Sequence, residues 1–173
     1  MNDTQFSLKA RLKARLKARL QQPGLIVAPG VFDMVSLRLA DNCVGFDALY
    51  MTGFGAVASY SGLPDAGLAT YTDMLGRVTA MANMARTPLI ADADTGYGGL
   101  PNLRHTIRGY EAVGAAAIQL EDQEIPKKCG HTPVLSTADL ESIGYKLAIF
   151  PVSALLGALH AMTGGNRAIT ASQ

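Results

Sequence analysis

Five short apolar runs alternate with segments of helical pattern, and this alternation narrows the folds open to the chain more than any other feature. The runs occupy residues 25–29, 46–51, 87–91, 115–120 and 146–150. Between them, residues 34–42, 71–85 and 101–113 carry the pattern of helices. A strand followed by a helix, repeated, argues a parallel α/β sheet or barrel. Residues 56–70, rich in Gly, Ser and Ala, read as a loop. After residue 131, Ser136 or Thr137 is placed to cap a short helix. A last helix is expected over residues 152–162, closed by Thr163-Gly164-Gly165, with no clear pattern in the tail.

Two of the apolar runs end in dense polar clusters. The third runs into Asp92-Ala93-Asp94-Thr95-Gly96-Tyr97-Gly98-Gly99, and the fourth into Glu121-Asp122-Gln123 and on to Lys127-Lys128-Cys129-Gly130-His131. Carboxylates, lysines, a thiol and an imidazole at strand ends build a poor core and a good metal-dependent site. Asp92 and Asp94 are two apart, so an extended strand would send their side chains to opposite faces. A turn must therefore begin between them if both are to reach one ion, and Gly96, Gly98 and Gly99 supply turn chemistry. The plainer alternative is a pair of surface aspartates capping the next helix. Cys129 lies beside Lys128, and a neighbouring cation raises the thiolate fraction of a thiol. Cys43, His105 and His160 sit in ordinary contexts and read as structural.

The 173 residues suffice for one domain with a hydrophobic core. A closed eight-unit barrel typically needs about 250. Apolar residues make up 49% and charged residues only 17%, which leaves much surface to hide and suggests a homo-oligomer. The net charge of +1 is unevenly placed. Six basic residues lie between positions 9 and 19, and the rest holds nine Lys and Arg against 14 Asp and Glu, a balance of −5. Such a body gives no reason to expect nucleic-acid binding. Two cysteines outside any paired motif, a start unlike a signal peptide and the lack of a long apolar run favour a cytoplasmic protein without a membrane span.

Residues 8–20 repeat Leu-Lys-Ala-Arg three times and end in Leu. Four residues overshoot one helical turn by about 40°, so the leucines share one broad, drifting stripe. Residues 1–22 are read as this basic amphipathic helix, packed across the body; membrane-surface or partner-helix binding is the alternative. Residues 23–131 then form the first part of a barrel and residues 132–173 its last unit and tail.

The motifs resemble those of the isocitrate lyase and phosphoenolpyruvate mutase superfamily. The resemblance rests on Pro29-Gly30-Val31-Phe32-Asp33, Met51-Thr52-Gly53 with Leu63-Pro64-Asp65, the Asp92/Asp94 cluster, and the stretch from Glu121 through His131. It implies a TIM-type (β/α) barrel. It also implies about 100 further residues, with about three more strands, where this chain passes directly from His131 to Thr132. The missing stretch would carry a substrate-binding arginine and an active-site glutamate, so the chain is expected to be a barrel truncated in its middle.

The resemblance implies roles as well. Asp92, Asp94 and Glu121 would hold Mg²⁺, with Mn²⁺ as a substitute. Tyr50, Thr52, Gly53 and Asp65 would line a site for a small carboxylic acid. Cys129 would protonate an enolate carbon, with Lys127, Lys128 and His131 handling charge and protons. The implied activity is carbon–carbon cleavage of a small 2-hydroxy di- or tricarboxylate. Oxaloacetate decarboxylation is a sister reaction, and an inactive member serving as a structural or interaction protein is the reading from another class.

Overall fold

The computed structural model describes residues 3–122 and 135–171. In chain order the elements are α1 (Asp3–Leu20), β1 (Ile26–Val31), α2 (Met34–Asn42), β2 (Leu49–Met51), α3 (Gly53–Ser61) and α4 (Tyr71–Met84). There follow β3 (Leu89–Asp92), α5 (Leu100–Val113), β4 (Ala117–Gln119), α6 (Thr137–Ser142), β5 (Leu147–Phe150) and α7 (Ser153–Ala171). The strands form one parallel sheet in the order β4-β3-β2-β1-β5, curled into an open half-barrel. This is the α/β barrel architecture that the alternation of runs predicts, without closure among the described residues.

Side-chain alternation along the strands creates two apolar layers. Leu49, Met51, Leu89 and Ala91 point to one face and pack with Leu37 of α2, Val57 of α3, Met74, Val78 and Met81 of α4, and Tyr110 of α5. Ile26, Ala28, Ala48, Tyr50 and Ile90 form the second layer with Leu16 of α1. Burial on both faces is why the strands read as continuous apolar runs. Leu12 and Leu16 are buried and fasten α1 to the body, with Lys13 paired to Glu111 and Arg19 to Asp47. The middle of the leucine stripe of α1 is therefore spent on the core. No described helix is long and apolar enough to cross a membrane.

Local chemistry sets the element ends. Asp33 caps α2 by accepting from Ser36 N, and Ser36 answers with its hydroxyl in a capping box. Thr70 and Asp73 do the same at α4, as do Ser136 and Asp139 at α6. Gly30 is required by close approach: a Cβ there would lie 2.2 Å from the carbonyl oxygen of Pro151, just beyond β5. Two expectations need correction. Residues 56–61, part of the supposed loop, belong to α3, because Thr52 caps that helix and its small side chains let it lie close to the sheet. The last helix does not stop at Gly164-Gly165 but runs to Ala171. Glycine weakens a helix by about 1 kcal/mol without breaking its hydrogen-bond ladder, unlike proline.

Candidate active site

The described polar residues among those singled out above gather where β2, β3 and β4 end. Parallel α/β barrels place their sites at these carboxyl ends, where loops and helix N-termini meet. Register brings Asp92 of β3 beside Gln119 of β4, and Tyr50 beside Ile90, two residues lower. The Tyr50 ring reaches upward from that level. Its hydroxyl lies 2.7 Å from Asp92 Oδ2 and 2.8 Å from Gln119 Oε1. A phenol carries one proton, so these two acceptors share a single donor. Burial first, and the Asp92 charge second, raise the Tyr50 phenol far above its ordinary pKa, so Tyr50 is a neutral hydrogen-bond donor.

Asp92 is buried and held on both oxygens. Oδ2 also accepts from Gly53 N at 2.9 Å, and Oδ1 accepts from Asp94 N at 2.9 Å. Thr52 is buried and its hydroxyl accepts from Gly55 N at 3.3 Å, so it serves as the N-cap of α3. The chain turns at Asp94, whose φ of +50° lies in the left-handed region. This is the turn that Asp92 and Asp94 need in order to act together. Glu121 follows β4; its backbone N–H donates to Asp94 O at 2.9 Å, and its Oε1 lies 3.4 Å from Gln119 Nε2. Asp65, half-buried in the segment between α3 and α4, lines a narrow cleft of about 10 Å³ with Gly53, Asp92, Asp94 and Tyr97.

The structure thus brings together Tyr50, Thr52, Gly53, Asp65, Asp92, Asp94 and Glu121. Lys127, Lys128, Cys129 and His131 lie outside the described residues. Gln119 escaped the sequence reading, hidden as one polar residue in an apolar run. Its two-residue spacing from Ala117, which packs against the second layer, puts both on one face and was the available signal.

No group of three or more His, Cys, Asp or Glu among the described residues stands ready to hold a metal ion. The donor chemistry nevertheless fits a hard divalent cation. Asp92, Asp94 and Glu121 offer only oxygen, and Asp94 Oδ1 and Glu121 Oε2 are shielded from solvent. Magnesium commonly uses one or two carboxylates and keeps waters rather than filling a protein cage.

The fold is thus an open parallel half-barrel with a buried carboxylate, Asp92, at a strand end. The model of the phosphoenolpyruvate phosphomutase family matches residues 16–154, and the chain belongs to that superfamily, which includes the isocitrate lyases. Over 107 residues it is 51% identical to 2,3-dimethylmalate lyase of Eubacterium barkeri, covering 62% of this chain and 37% of that protein. The chain thus spans little more than a third of that curated relative. A crystal structure of 2,3-dimethylmalate lyase superposes with a TM-score of 0.82 at 27% identity, covering 92% of this chain and 86% of the other. A structure of phosphonopyruvate hydrolase with oxalate and Mg²⁺ matches with a TM-score of 0.58 at 34% identity, over 69% of this chain and 40% of the other.

Proposed function

We propose that this protein is a Mg²⁺-dependent carbon–carbon lyase acting on a small 2-hydroxy di- or tricarboxylate. The observation that carries the reading is the convergence of Tyr50, Gly53, Asp92, Asp94 and Glu121 at three adjacent strand ends. The 51% identity to a lyase of a dicarboxylic acid, and the Mg²⁺ and oxalate of the phosphonopyruvate hydrolase structure, support it. Mn²⁺ is the natural substitute.

Asp92, Asp94 and Glu121 would hold the cation, in part through water. When bound, it supplies positive charge to a substrate oxygen on which negative charge develops. The chain's own groups do the rest. Tyr50 and the Gly53 amide fix the Asp92 carboxylate, while Asp65 borders the cleft opposite. Cleavage passes the substrate hydroxyl proton to a base, for which His131 is the candidate, turns that carbon into a carbonyl and leaves the bonding pair on the other fragment as an enolate. The Cys129 thiol then delivers a proton to the enolate carbon, with Lys127, Lys128 and His131 balancing charge. Oxaloacetate decarboxylation would use the same enolate stabilisation and is the alternative substrate within this reading.

The test is an assay for pyruvate or glyoxylate released from isocitrate, methylisocitrate, dimethylmalate or oxaloacetate, with and without Mg²⁺. Metal-dependent product that is lost in Cys129→Ala is the expected result. No product from soluble, folded protein would reject it in favour of a second reading, a non-catalytic member acting by association. The observation favouring that second reading is the open sheet, whose β4 and β5 each have a strand neighbour on only one side among the described residues. We also infer self-association, supported by Leu156, Leu159 and Met162 exposed along α7, and a cytoplasmic setting, supported by the free Cys43 thiol.

A further inference from the structure

Two non-glycine residues in the segment between β3 and α5 hold left-handed backbone: Asp94 at φ +50° and Tyr97 at φ +60°. Such conformations cost roughly 1–2 kcal/mol each and persist only where the surroundings enforce them. The enforcement comes from one stripe of α5. Asn102, Thr106 and Tyr110 recur at four-residue spacing and so share a helix face. Asn102 Nδ2 donates to Tyr97 O at 3.2 Å. Thr106, buried, donates its hydroxyl to Gly96 O at 3.1 Å. Tyr110, fully buried, places its hydroxyl 3.2 Å from that of Tyr97. Tyr71 of α4 braces the group, its ring centroid 6.5 Å from those of Tyr97 and Tyr110.

The gripped segment carries Asp94, one of the carboxylates proposed above to hold the cation. Gly96 N donates to Ala93 O at 2.8 Å, so the Thr106 contact holds one end of a turn that contains Asp94. The geometry points to Asn102, Thr106 and Tyr110 as positioning residues that fix the left-handed turn and so aim Asp94 at the bound cation. This rests on the proposed metal-dependent reading for its purpose, but not for its mechanical content. A buried threonine and a buried tyrosine on a core-facing helix would otherwise be served as well by valine and phenylalanine.

The experiment uses Thr106→Val and Tyr110→Phe, which keep side-chain shape, with Thr106→Ser as the rescue variant. Residue-resolved hydrogen exchange reads the amides of Asp94 and Glu121, which bond to Asp92 Oδ1 and Asp94 O, against Thr52, which bonds to Val31 O. Loss of one such hydrogen bond should speed exchange at Asp94 and Glu121 about fivefold and leave Thr52 unchanged. Mg²⁺ affinity, followed by titration calorimetry on the same proteins, should fall about tenfold in Thr106→Val and return in Thr106→Ser. Unchanged exchange at Asp94 in both variants overturns the inference. Uniform acceleration that includes Thr52 also overturns it, because that is the signature of a plain core role. Equal Mg²⁺ affinity in wild type and variants overturns it too. A wild-type protein that takes up no Mg²⁺ counts against the proposed function instead, and the exchange measurement still decides the positioning role.

Discussion

The Gly53 amide donates to Asp92 Oδ2 across 39 residues of sequence, and a methyl group at position 53 would stand 2.8 Å from that same oxygen. One residue thus both holds the carboxylate and leaves room for it. Gly53→Ala should rotate Asp92 out of place while α3, which gains helix propensity, stays folded. Divalent-cation affinity is expected to fall about 10- to 100-fold, with a thermal midpoint within a few degrees of wild type. Calorimetric titration beside a thermal melt checks both halves. A variant that binds the cation as well as wild type would detach Gly53 from the site.

Three tyrosines, Tyr50 and Tyr110 buried and Tyr97 half-buried, are expected to weaken the fold at alkaline pH. Burial raises the Tyr50, Tyr97 and Tyr110 phenols above the ordinary value, with Asp92 adding to the shift at Tyr50 and Tyr110 to that at Tyr97. A phenol raised in the folded state contributes stability that is fully present below its unfolded pKa, near 10. Above that pH the unfolded chain releases the proton and the folded chain does not, so stability falls as pH rises. Each tyrosine contributes a slope of up to about 1.4 kcal/mol per pH unit. Melts between pH 8 and 11 should show a shallower decline in Tyr97→Phe than in wild type. Parallel declines would contradict the assignment.

How far sequence carried the site depended on which forces acted locally. The five strands were legible because apolar layers on both faces leave long hydrophobic runs. Asp92 and Asp94 were singled out because a polar cluster ends an apolar run there and resembles a family motif, and Asp92 is indeed buried at the end of β3. The helix from Gly53 to Ser61 was not legible. Its Gly and Ala content reads as a loop, and the reason for that content is tertiary: a Cβ at Gly55 would lie 2.7 Å from Phe32 Cβ. Gln119 was hidden for a similar reason, since only cross-strand register places it beside Asp92. The roles of Lys127, Lys128, Cys129 and His131 remain proposals resting on chemistry and family resemblance.

The capping box of α4 predicts an acid response. Hydrogen bonds from the Thr70 side chain, then its backbone, lower the pKa of the exposed Asp73 carboxyl in the folded protein. A group lowered on folding contributes stability above its unfolded pKa, near 3.9, and loses it as pH falls through the folded value. Thr70→Ala should cost about 1 kcal/mol at neutral pH, the usual value of an N-cap. In Asp73→Asn, the acid limb of the stability curve should flatten in urea titrations between pH 2 and 6. A limb as steep as that of wild type would show that Asp73 adds nothing there.

The leucine repeat of α1 makes a graded prediction. Leu8, Leu12, Leu16 and Leu20 look equivalent in sequence, but the stripe drifts about 40° per repeat and cannot face one straight surface throughout. Its middle lands on the core: Leu12 and Leu16 are 7% and 2% exposed, while Leu8 and Leu20 are 37% and 36% exposed. Leu16 fills the layer with Ile26, Ala28 and Tyr50, below the hydroxyl that donates to Asp92. Leu16→Ala should therefore cost about 2–5 kcal/mol, whereas Leu8→Ala and Leu20→Ala should each cost less than about 1.5 kcal/mol. Because Tyr50 packs in the same layer, Leu16→Ala is also expected to loosen the Tyr50–Asp92 hydrogen bond. Urea titration of the four alanine variants gives the stability order. Equal losses at all four positions would mean that α1 binds the body as a uniform amphipathic surface rather than through two central anchors.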